Sequence, residues 1–322
     1  MKCPKGTAAV ERKLLVLNTL ILVLLLVADP RFGSAVSEAA SLEADAPDLF
    51  SPIQRLVGKA APDFALPDLK GRGWRLSDLR ARKIVAMQFA STSCHCGQLA
   101  LLDLDMLQSS LGKRGLQALA IGFEASPLRP PIEFIREMKL AVPFLKDQGL
   151  KTAAAYGIRW PPCVIVVDRM GIIRWARDVF GGDGDVFRQT QAAVERLIAA
   201  DEAWGQNSAY NRLYASGKPT AITGVVKGKQ QVAPLTGMSP GVALTLSADS
   251  GAHRVHLGPA WYVGSQPFRI VPKDVVTVTG VTVRLGGKPV ILAREIRRGK
   301  QVVTFRDARG RPKWAESRTG GS

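Results

Sequence analysis

The sequence predicts an α/β domain followed by a small all-β domain. The chain has 322 residues, of which 46% are hydrophobic, so it is long enough for about two domains with buried cores. Strand-like and helix-like apolar patterns alternate over residues 55–200, as they do in α/β layer folds. From residue 219 the pattern changes to short strands between glycine-rich turns, which is typical of a small closed barrel or a sandwich.

The α/β domain at 55–200 is built from short elements in a regular order. Pro131 suits the first turn of a helix, and Gly171 supplies a hairpin turn between the last two strands. The apolar patterns predict strands at Ile84–Phe89, Leu116–Gly122, Val142–Leu145, Val164–Val167 and Ile172–Trp175. They predict helices at Leu99–Leu111, Pro131–Met138, Thr152–Tyr156 and Phe187–Ala200.

The all-β domain at 219–315 follows a linker at 201–218, which has room for a helical turn, and precedes a tail at 316–322. Glycines such as Gly286-Gly287 provide the turns. The candidate strands are Ile222–Val226, Val242–Leu246, His253–Leu257, Val275–Val278, Val281–Leu285, Pro289–Ile296 and Val302–Phe305. Five or six real strands among these seven segments are enough for a small barrel or sandwich.

The N-terminus has the pattern of an export signal. Basic residues precede a mostly apolar run of 15 residues, Leu14–Ala28, which is shorter than the roughly 20 that a membrane span needs. We therefore assign residues 1–35 to a signal peptide or membrane anchor and residues 36–54 to a tether. The body of the chain is expected to be periplasmic or exported, and anchored to the inner membrane only if the N-terminal segment is uncleaved.

Positive charge is concentrated in the last third of the chain. The net charge is +17, and residues 219–322 hold 16 Lys and Arg against 5 Asp and Glu, a net of +11. Such a surface attracts nucleic acid, acidic lipids or acidic polymers. Basic exported proteins are common for no specific reason, however, and an export signal argues against a nucleic-acid partner.

The small number of cysteines indicates redox chemistry rather than a fold held together by several disulfides. The four cysteines are Cys3, Cys94, Cys96 and Cys163, and Cys3 lies within the predicted signal. Three thiols remain, so one is free, binds a metal or pairs with another protein.

Cys94-His95-Cys96 lies where a predicted strand gives way to a predicted helix. Thiols at the N-terminus of a helix feel the positive end of its dipole, which favours the thiolate form. This position suits sulfur chemistry better than packing. The alternative is a pair of buried small residues in a turn, since cysteine is buried more often than it reacts.

Several motifs resemble the redoxin group of the thioredoxin superfamily. They include Ala61-Pro62-Asp63-Phe64, Leu76-Ser77-Asp78-Leu79 and the stretch from Tyr156 to Gly171, and the resemblance covers residues 55–200. It implies a thioredoxin-like fold. The group contains exported, membrane-anchored thiol-disulfide oxidoreductases and peroxiredoxins of the alkyl hydroperoxide reductase C/TSA type.

The resemblance also implies roles for five residues. Cys94 stands at the position of the attacking cysteine, and His95 would favour its thiolate. Pro162 stands where the family has a cis-proline that holds substrate main chain. Cys96 or Cys163 would resolve the mixed disulfide with a partner protein. The implied activity is that of an exported thiol-disulfide oxidoreductase with no organic cofactor and no metal.

Departures from the family patterns leave three alternatives open. Gly97 occupies the second cysteine position of CxxC. A peroxiredoxin-like thiol peroxidase needs Pro-x-x-x-Thr/Ser-x-x-Cys, and although Ser91 fits, Met87 replaces the proline. Thiolates with an imidazole also suit copper or zinc. The third alternative is a non-catalytic binding module.

The C-terminal domain resembles the small OB-like domains of exported bacterial proteins, over residues 219–315. OB folds often bind nucleic acid through aromatic and basic side chains. Such a face could contain Trp261, Tyr262, Phe268, Phe305 and Trp314 together with Arg254, Arg294, Arg297 and Arg298. We expect instead that these aromatic side chains fill a core, and that a protein of the cell envelope is the partner.

Overall fold

The computed structural model describes residues 52–123, 131–179 and 184–318. The predicted signal or anchor at 1–35 and nearly all of the tether at 36–54 lie outside these residues. A 3-10 turn at Pro52–Leu56 opens the described chain, and another at Lys313–Arg318 closes it. Among the helices described, none combines the length and apolar character needed to cross a bilayer.

The first domain is a layered α/β structure. Its strands are β1 (Ala65–Pro67), β2 (Gly73–Arg75), β3 (Ile84–Ala90), β4 (Leu116–Gly122), β5 (Phe144–Leu145), β6 (Cys163–Val167) and β7 (Ile173–Asp178). Its helices are α1 (Leu76–Leu79), α2 (His95–Leu111), α3 (Pro131–Glu137), α4 (Lys151–Ala155) and α5 (Gly184–Glu202).

The central sheet has the order β5-β4-β3-β6-β7. Strand β4 runs parallel to β3 and β5, whereas β6 runs antiparallel to β3 and β7. Helix α2 connects β3 to β4, and α5 follows β7. This arrangement confirms the predicted thioredoxin-like fold.

The two faces of the sheet form separate cores because side chains alternate along each strand. Met87 and Phe89 of β3 pack on one face with Tyr156 and Cys163. Ala86 and Ala90 lie on the other face, with side chains from α2, α3 and α5. Every residue of β3 is buried, as expected for a strand covered on both sides.

The second domain begins after helix α6 (Ala209–Ala215), a longer element than the single turn expected in the linker. Its strands are β8 (Lys218–Val232), β9 (Gly241–Ala248), β10 (Gly251–Pro259), β11 (Val275–Leu285), β12 (Lys288–Arg298) and β13 (Gln301–Thr304), with helix α7 (Ala260–Gly264) after β10. Two of the seven predicted strands are one strand, β11, whose register shifts between Thr279 and Gly280. A Cβ at Gly280 would overlap the Leu292 carbonyl oxygen, so the bulge depends on glycine.

The second domain is rich in sheet, with the strand order β10-β9-β8-β11-β12-β13. Strand β10 also touches β12 in parallel, but only Val255 and His256 take part, opposite Ile291 and Leu292. The predicted OB-like barrel is therefore not confirmed, because two residue pairs do not establish a closed barrel.

A buried ion pair lies where the two domains meet. Arg169, in the turn between β6 and β7, has its Nε 2.9 Å from Oδ2 of Asp201 near the end of α5. Its guanidinium carbon is 4.9 Å from the centre of the Trp261 ring in the second domain. The same side chain donates a 2.8 Å hydrogen bond to the Arg82 carbonyl oxygen. One buried cation thus links the hairpin turn, α5 and the second domain.

Candidate thiol-disulfide site

Cys94 caps the N-terminus of helix α2. Its backbone is extended, with φ −120° and ψ 148°, and its Sγ accepts a hydrogen bond from the backbone N–H of Gly97 at 3.3 Å. Cysteine here takes the place of the serine or aspartate that usually caps a helix. The Cys94 side chain is exposed. The Cys94 sulfur thus lies at the N-terminal end of a 17-residue helix and accepts one of its free backbone N–H groups.

His95 and Cys96 form the first turn of the same helix, which begins four residues earlier than predicted because Cys94 supplies the cap. His95 is exposed and Cys96 is half-buried. Cys94, Cys96 and Cys163 are free thiols in the structure. The Cys-His-Cys sequence thus places one exposed and one half-buried cysteine at the same helix end.

Gly97 occupies a position that has no room for a side chain. A Cβ there would overlap the backbone oxygen of Ser91 and lie 3.1 Å from the Cys94 sulfur. The second cysteine of a CxxC motif would stand at this position. The loop before α2 therefore packs directly against Gly97. Cys96 is then the second thiol at the N-terminus of this helix.

We expect Gly97→Ala to lower the free energy of unfolding by about 1–2 kcal/mol, because the overlap with Ser91 outweighs the better helix propensity of alanine. Urea unfolding would measure the change. Gly264→Ala is the matched control, since a Cβ at that helical glycine meets no atom within 4 Å. Equal stability of Gly97→Ala and the wild type would contradict the prediction.

The loop before β6 lies at the same edge of the sheet as the thiols. Phe89 pairs with Cys163, so the chain before Cys163 borders the loop that leaves β3 and leads to Cys94. The Pro161–Pro162 peptide bond is cis, as the family resemblance implied for Pro162. The Pro162 carbonyl oxygen accepts a 2.8 Å hydrogen bond from the Val179 N–H, which ties the loop to the end of β7.

Trp160 is a residue that sequence reasoning did not single out. It precedes the two prolines, and 74% of its surface is exposed, the largest exposed fraction among the large hydrophobic side chains described. Tryptophan is enriched among the residues that contribute most to binding at protein interfaces. The sequence feature that could have identified Trp160 is its position in the run Arg159-Trp160-Pro161-Pro162.

Cys163 faces away from the helix that carries the other two thiols. Its side chain is fully buried among Met87, Phe89 and Tyr156, whereas α2 packs on the opposite face of the sheet. Burial raises the pKa of the Cys163 thiol, and the nearby charge of Asp178 raises it further. A buried neutral thiol is a poor nucleophile. The structure brings Cys94, His95, Cys96 and Pro162 to one edge but does not bring the Cys163 sulfur out to them.

Comparison with known proteins agrees with this geometry. Residues 57–176 match the AhpC/TSA family. The thiol-disulfide oxidoreductase ResA of Geobacillus thermodenitrificans is 30% identical over 118 residues, which cover 37% of this chain and 67% of that relative. The chain belongs to the AhpC/TSA redoxin family. ResA of Bacillus anthracis is 26% identical over 115 residues, covering 36% of this chain and 65% of that relative.

Other similarities concern the fold of the redoxin domain and the second domain. The solved thioredoxin domain of a thiol-disulfide oxidoreductase from Bacteroides vulgatus is 21% identical, covers 43% of this chain and 97% of its own, and has a TM-score of 0.37.

Residues 218–303 match the MamS/MamX magnetosome protein family. The OB-like resemblance is thus replaced by a match to a different family.

The redoxin domain lacks the proline that the peroxidase motif requires. Met87, which stands where a peroxiredoxin has proline, lies within β3 and is completely buried. The Ser91 Oγ accepts a 3.1 Å hydrogen bond from the Ser93 N–H, within its own loop. These contacts give no support to a peroxide pocket.

The structure gives no support to the metal alternative either. Over residues 52–123, 131–179 and 184–318, no three His, Cys, Asp or Glu side chains are grouped so that they could hold a metal ion. His253 and His256 belong to the second domain.

The aromatic side chains of the second domain are mostly in its core, as expected. Trp261, Phe268, Phe305 and Trp314 are all buried, and Tyr262 packs against the same cluster. They are therefore not available to stack on the bases of a nucleic acid.

Proposed function

We propose that the protein is an exported thiol-disulfide oxidoreductase in which Cys94 is the nucleophile and Cys96 resolves. The observation that carries this proposal is the exposed Cys94 sulfur, which caps α2 and accepts the Gly97 N–H beside the cis-Pro162 loop. Homology to thiol-disulfide oxidoreductases implies a protein thiol or disulfide as the partner. His95, exposed between the two thiols, would favour the thiolate when its imidazole is protonated.

The exchange needs only the two sulfurs and a partner. The Cys94 thiolate attacks a partner disulfide and forms a mixed disulfide, while one partner sulfur leaves as a thiolate. Cys96 then attacks the Cys94 sulfur, which forms the Cys94–Cys96 disulfide and releases the second partner thiol. The partner gains two electrons and the site loses two. The same steps in reverse oxidise a partner dithiol.

Disulfide mapping by mass spectrometry tests this assignment. After oxidation with a small disulfide and alkylation of free thiols under denaturing conditions, we expect a Cys94–Cys96 bond and alkylated Cys163. Reduction with dithiothreitol should make all three residues alkylatable. A bond that includes Cys163, or no reducible bond at all, would contradict the assignment.

Trp160 is proposed to contact the partner protein next to the mixed disulfide. Burying an exposed indole contributes about 1.5–3 kcal/mol, so Trp160→Ala should slow reduction of a protein disulfide by about tenfold or more. Reduction of oxidised glutathione should change little, because a small disulfide does not reach the indole. Met106→Ala is the control, since Met106 is also exposed on the first domain but lies three turns along α2 from Cys94. Equal slowing with both substrates would contradict partner docking.

The second domain is proposed to select the cellular location of this chemistry. Its match to the MamS/MamX family supports a place at the magnetosome, and its net charge of +11 over residues 219–322 supports an acidic partner surface there. Co-purification of the full chain with isolated magnetosomes, compared with a chain that lacks residues 218–303, tests the location.

A further inference from the structure

Two stretches of strand edge in the second domain have no neighbouring strand among the described residues. Strand β13 is the last strand of the sheet and pairs only with β12. Strand β8 pairs with β11 only as far as Val225, so its residues 227–232 pair with β9 alone. A strand edge of this kind presents unpaired N–H and C=O groups and is therefore a template for the main chain of another protein.

The hydrogen bonds of β13 show which of its main-chain groups point outward. The Phe305 N–H donates a 2.7 Å hydrogen bond to the Arg294 carbonyl oxygen of β12. Hydrogen-bonded and non-hydrogen-bonded pairs alternate along an antiparallel ladder, so the N–H of Val303 also points toward β12. By the same alternation, Val302 and Thr304 direct their N–H and C=O groups away from β12. Val302 is 37% exposed and Thr304 is exposed as well, so this edge is open to solvent.

A cavity of about 280 Å³ lies beside both of these strand edges. Lys229 of β8 and Val303 of β13 line it, together with residues of the segment between α7 and β11. Its apolar lining also includes Phe268, Ile270 and Phe305. Alternate side chains of a strand point to the same face, so a strand added along β13 could place a side chain in this cavity.

The charge at this cavity is positive. Lys229 and Arg269 both line it and are exposed, so it opens to solvent on their side. None of the described residues that line it is acidic, and neither cation forms an ion pair within the described part of the chain. Lys300, in the turn before β13, adds an exposed cation at the start of that strand. Cations without a carboxylate partner attract an acidic ligand.

We propose that the second domain binds an extended acidic peptide, which adds as a strand along β13. The face of this peptide toward the cavity would carry an apolar side chain and carboxylates that contact Lys229 and Arg269. The outward main-chain groups of Val302 and Thr304 would provide affinity, and the cavity would provide selectivity. The biological role of this peptide site rests on the acidic partner proposed above. Purified components test it, so it can fail while co-purification with magnetosomes still succeeds.

Fluorescence anisotropy of a labelled peptide, titrated with the full chain, tests the proposal. Threonine occupies every second position of the peptide, and the positions between them are glutamate, valine and glutamate. We expect saturable binding, which Lys229→Glu or Arg269→Glu weakens about tenfold or more. Lys288→Glu is the matched control, since it makes the same change in net charge at the end of β12 that is remote from β13. It should leave the affinity within about twofold.

Two further measurements test main-chain pairing. Val302→Pro removes an outward N–H and none that bonds to β12, so it should weaken binding about tenfold, whereas Val302→Thr should not. The same peptide with every amide N-methylated cannot donate to β13 and should not bind the wild type, a result that does not depend on the folding of a variant.

Four results would overturn the proposal. They are the absence of saturable binding, equal weakening by Lys229→Glu and Lys288→Glu, unimpaired binding of the N-methylated peptide, and tighter binding of a single-stranded oligonucleotide that Lys229→Glu abolishes.

Discussion

A Cys94→Ser variant is expected to lose thiol-disulfide exchange by about 10³-fold or more, measured as reduction of insulin with dithiothreitol as the electron source. The hydroxyl can still accept the Gly97 N–H, so helix α2 keeps its cap and the fold is preserved. A hydroxyl is not ionised at neutral pH and does not attack a disulfide. The loss would therefore report chemistry rather than unfolding.

Two further cysteine variants make this result interpretable. Cys163→Ala should keep the exchange rate within about twofold, because its sulfur is buried on the other face of the sheet, and should lose about 1 kcal/mol of stability. Cys96→Ser should accumulate a mixed disulfide with the substrate, since Cys94 still attacks but no second thiol releases the product. A Cys94→Ser protein that remained active, or a Cys163→Ala protein that did not, would contradict the proposed site.

The second domain is expected to lose about 3 kcal/mol of stability as the pH falls from 6.5 to 4, because of one histidine. His256 on β10 is 4% exposed, and burial together with the neighbouring Arg254 lowers its pKa to about 4 from the ordinary 6.5. Arg254 donates to Nε2 at 3.3 Å, and Nδ1 lies 3.2 Å from the Tyr210 hydroxyl, so both ring nitrogens are occupied in the neutral form.

Whether acid stabilises or destabilises the protein depends on which state, folded or unfolded, binds a proton at the higher pH. Between pH 6.5 and 4 the unfolded chain is protonated at this histidine while the folded protein is not, so protonation favours unfolding. The contribution is fully present above pH 6.5 and is lost as the pH approaches 4.

Urea unfolding of the wild type and His256→Gln at pH 7.5 and 4 measures the effect. The variant is expected to be less stable at pH 7.5 but to lose about 3 kcal/mol less on acidification, whereas His253→Gln on the same strand serves as the control. The same acid-dependent loss in His256→Gln and the wild type would show that His256 is not responsible. Because the variant is compared with the wild type, the effects of carboxylates that titrate in the same pH range are equal in both proteins and cancel.

The sequence predicted the first domain closely where both faces of a strand are buried. Strand β4 has the predicted bounds, Leu116–Gly122, because a run that is apolar except for Gln117 fits a strand covered on both sides. The strand-to-helix position of Cys94 was also predictable, since it depends on local patterns. The start of α2 was not, because cysteine is not a usual capping residue.

What the sequence did not determine was orientation and long-range pairing. Side chains alternate between the two faces of the sheet along β6, and the Cys163 side chain lies on the face opposite α2. The position of Cys163 next to Pro162 in the sequence does not reveal this orientation. The single strand β11 was divided in two because glycine at 280 has the pattern of a turn as well as of a bulge. The short contact between β10 and β12 joins residues far apart in sequence, so local patterns carry no signal for it. The exposure of Trp160 is likewise set by tertiary structure.

The buried ion pair of Arg169 has a practical consequence for dissecting the protein. A fragment that ends at residue 200 would remove both Asp201 and Trp261 and leave a guanidinium on apolar surface without its carboxylate. Such a fragment is expected to aggregate or unfold for reasons unrelated to its thiols. Extending it through Gly205 would retain the carboxylate, so activity measured on the isolated N-terminal portion depends on where the chain is cut.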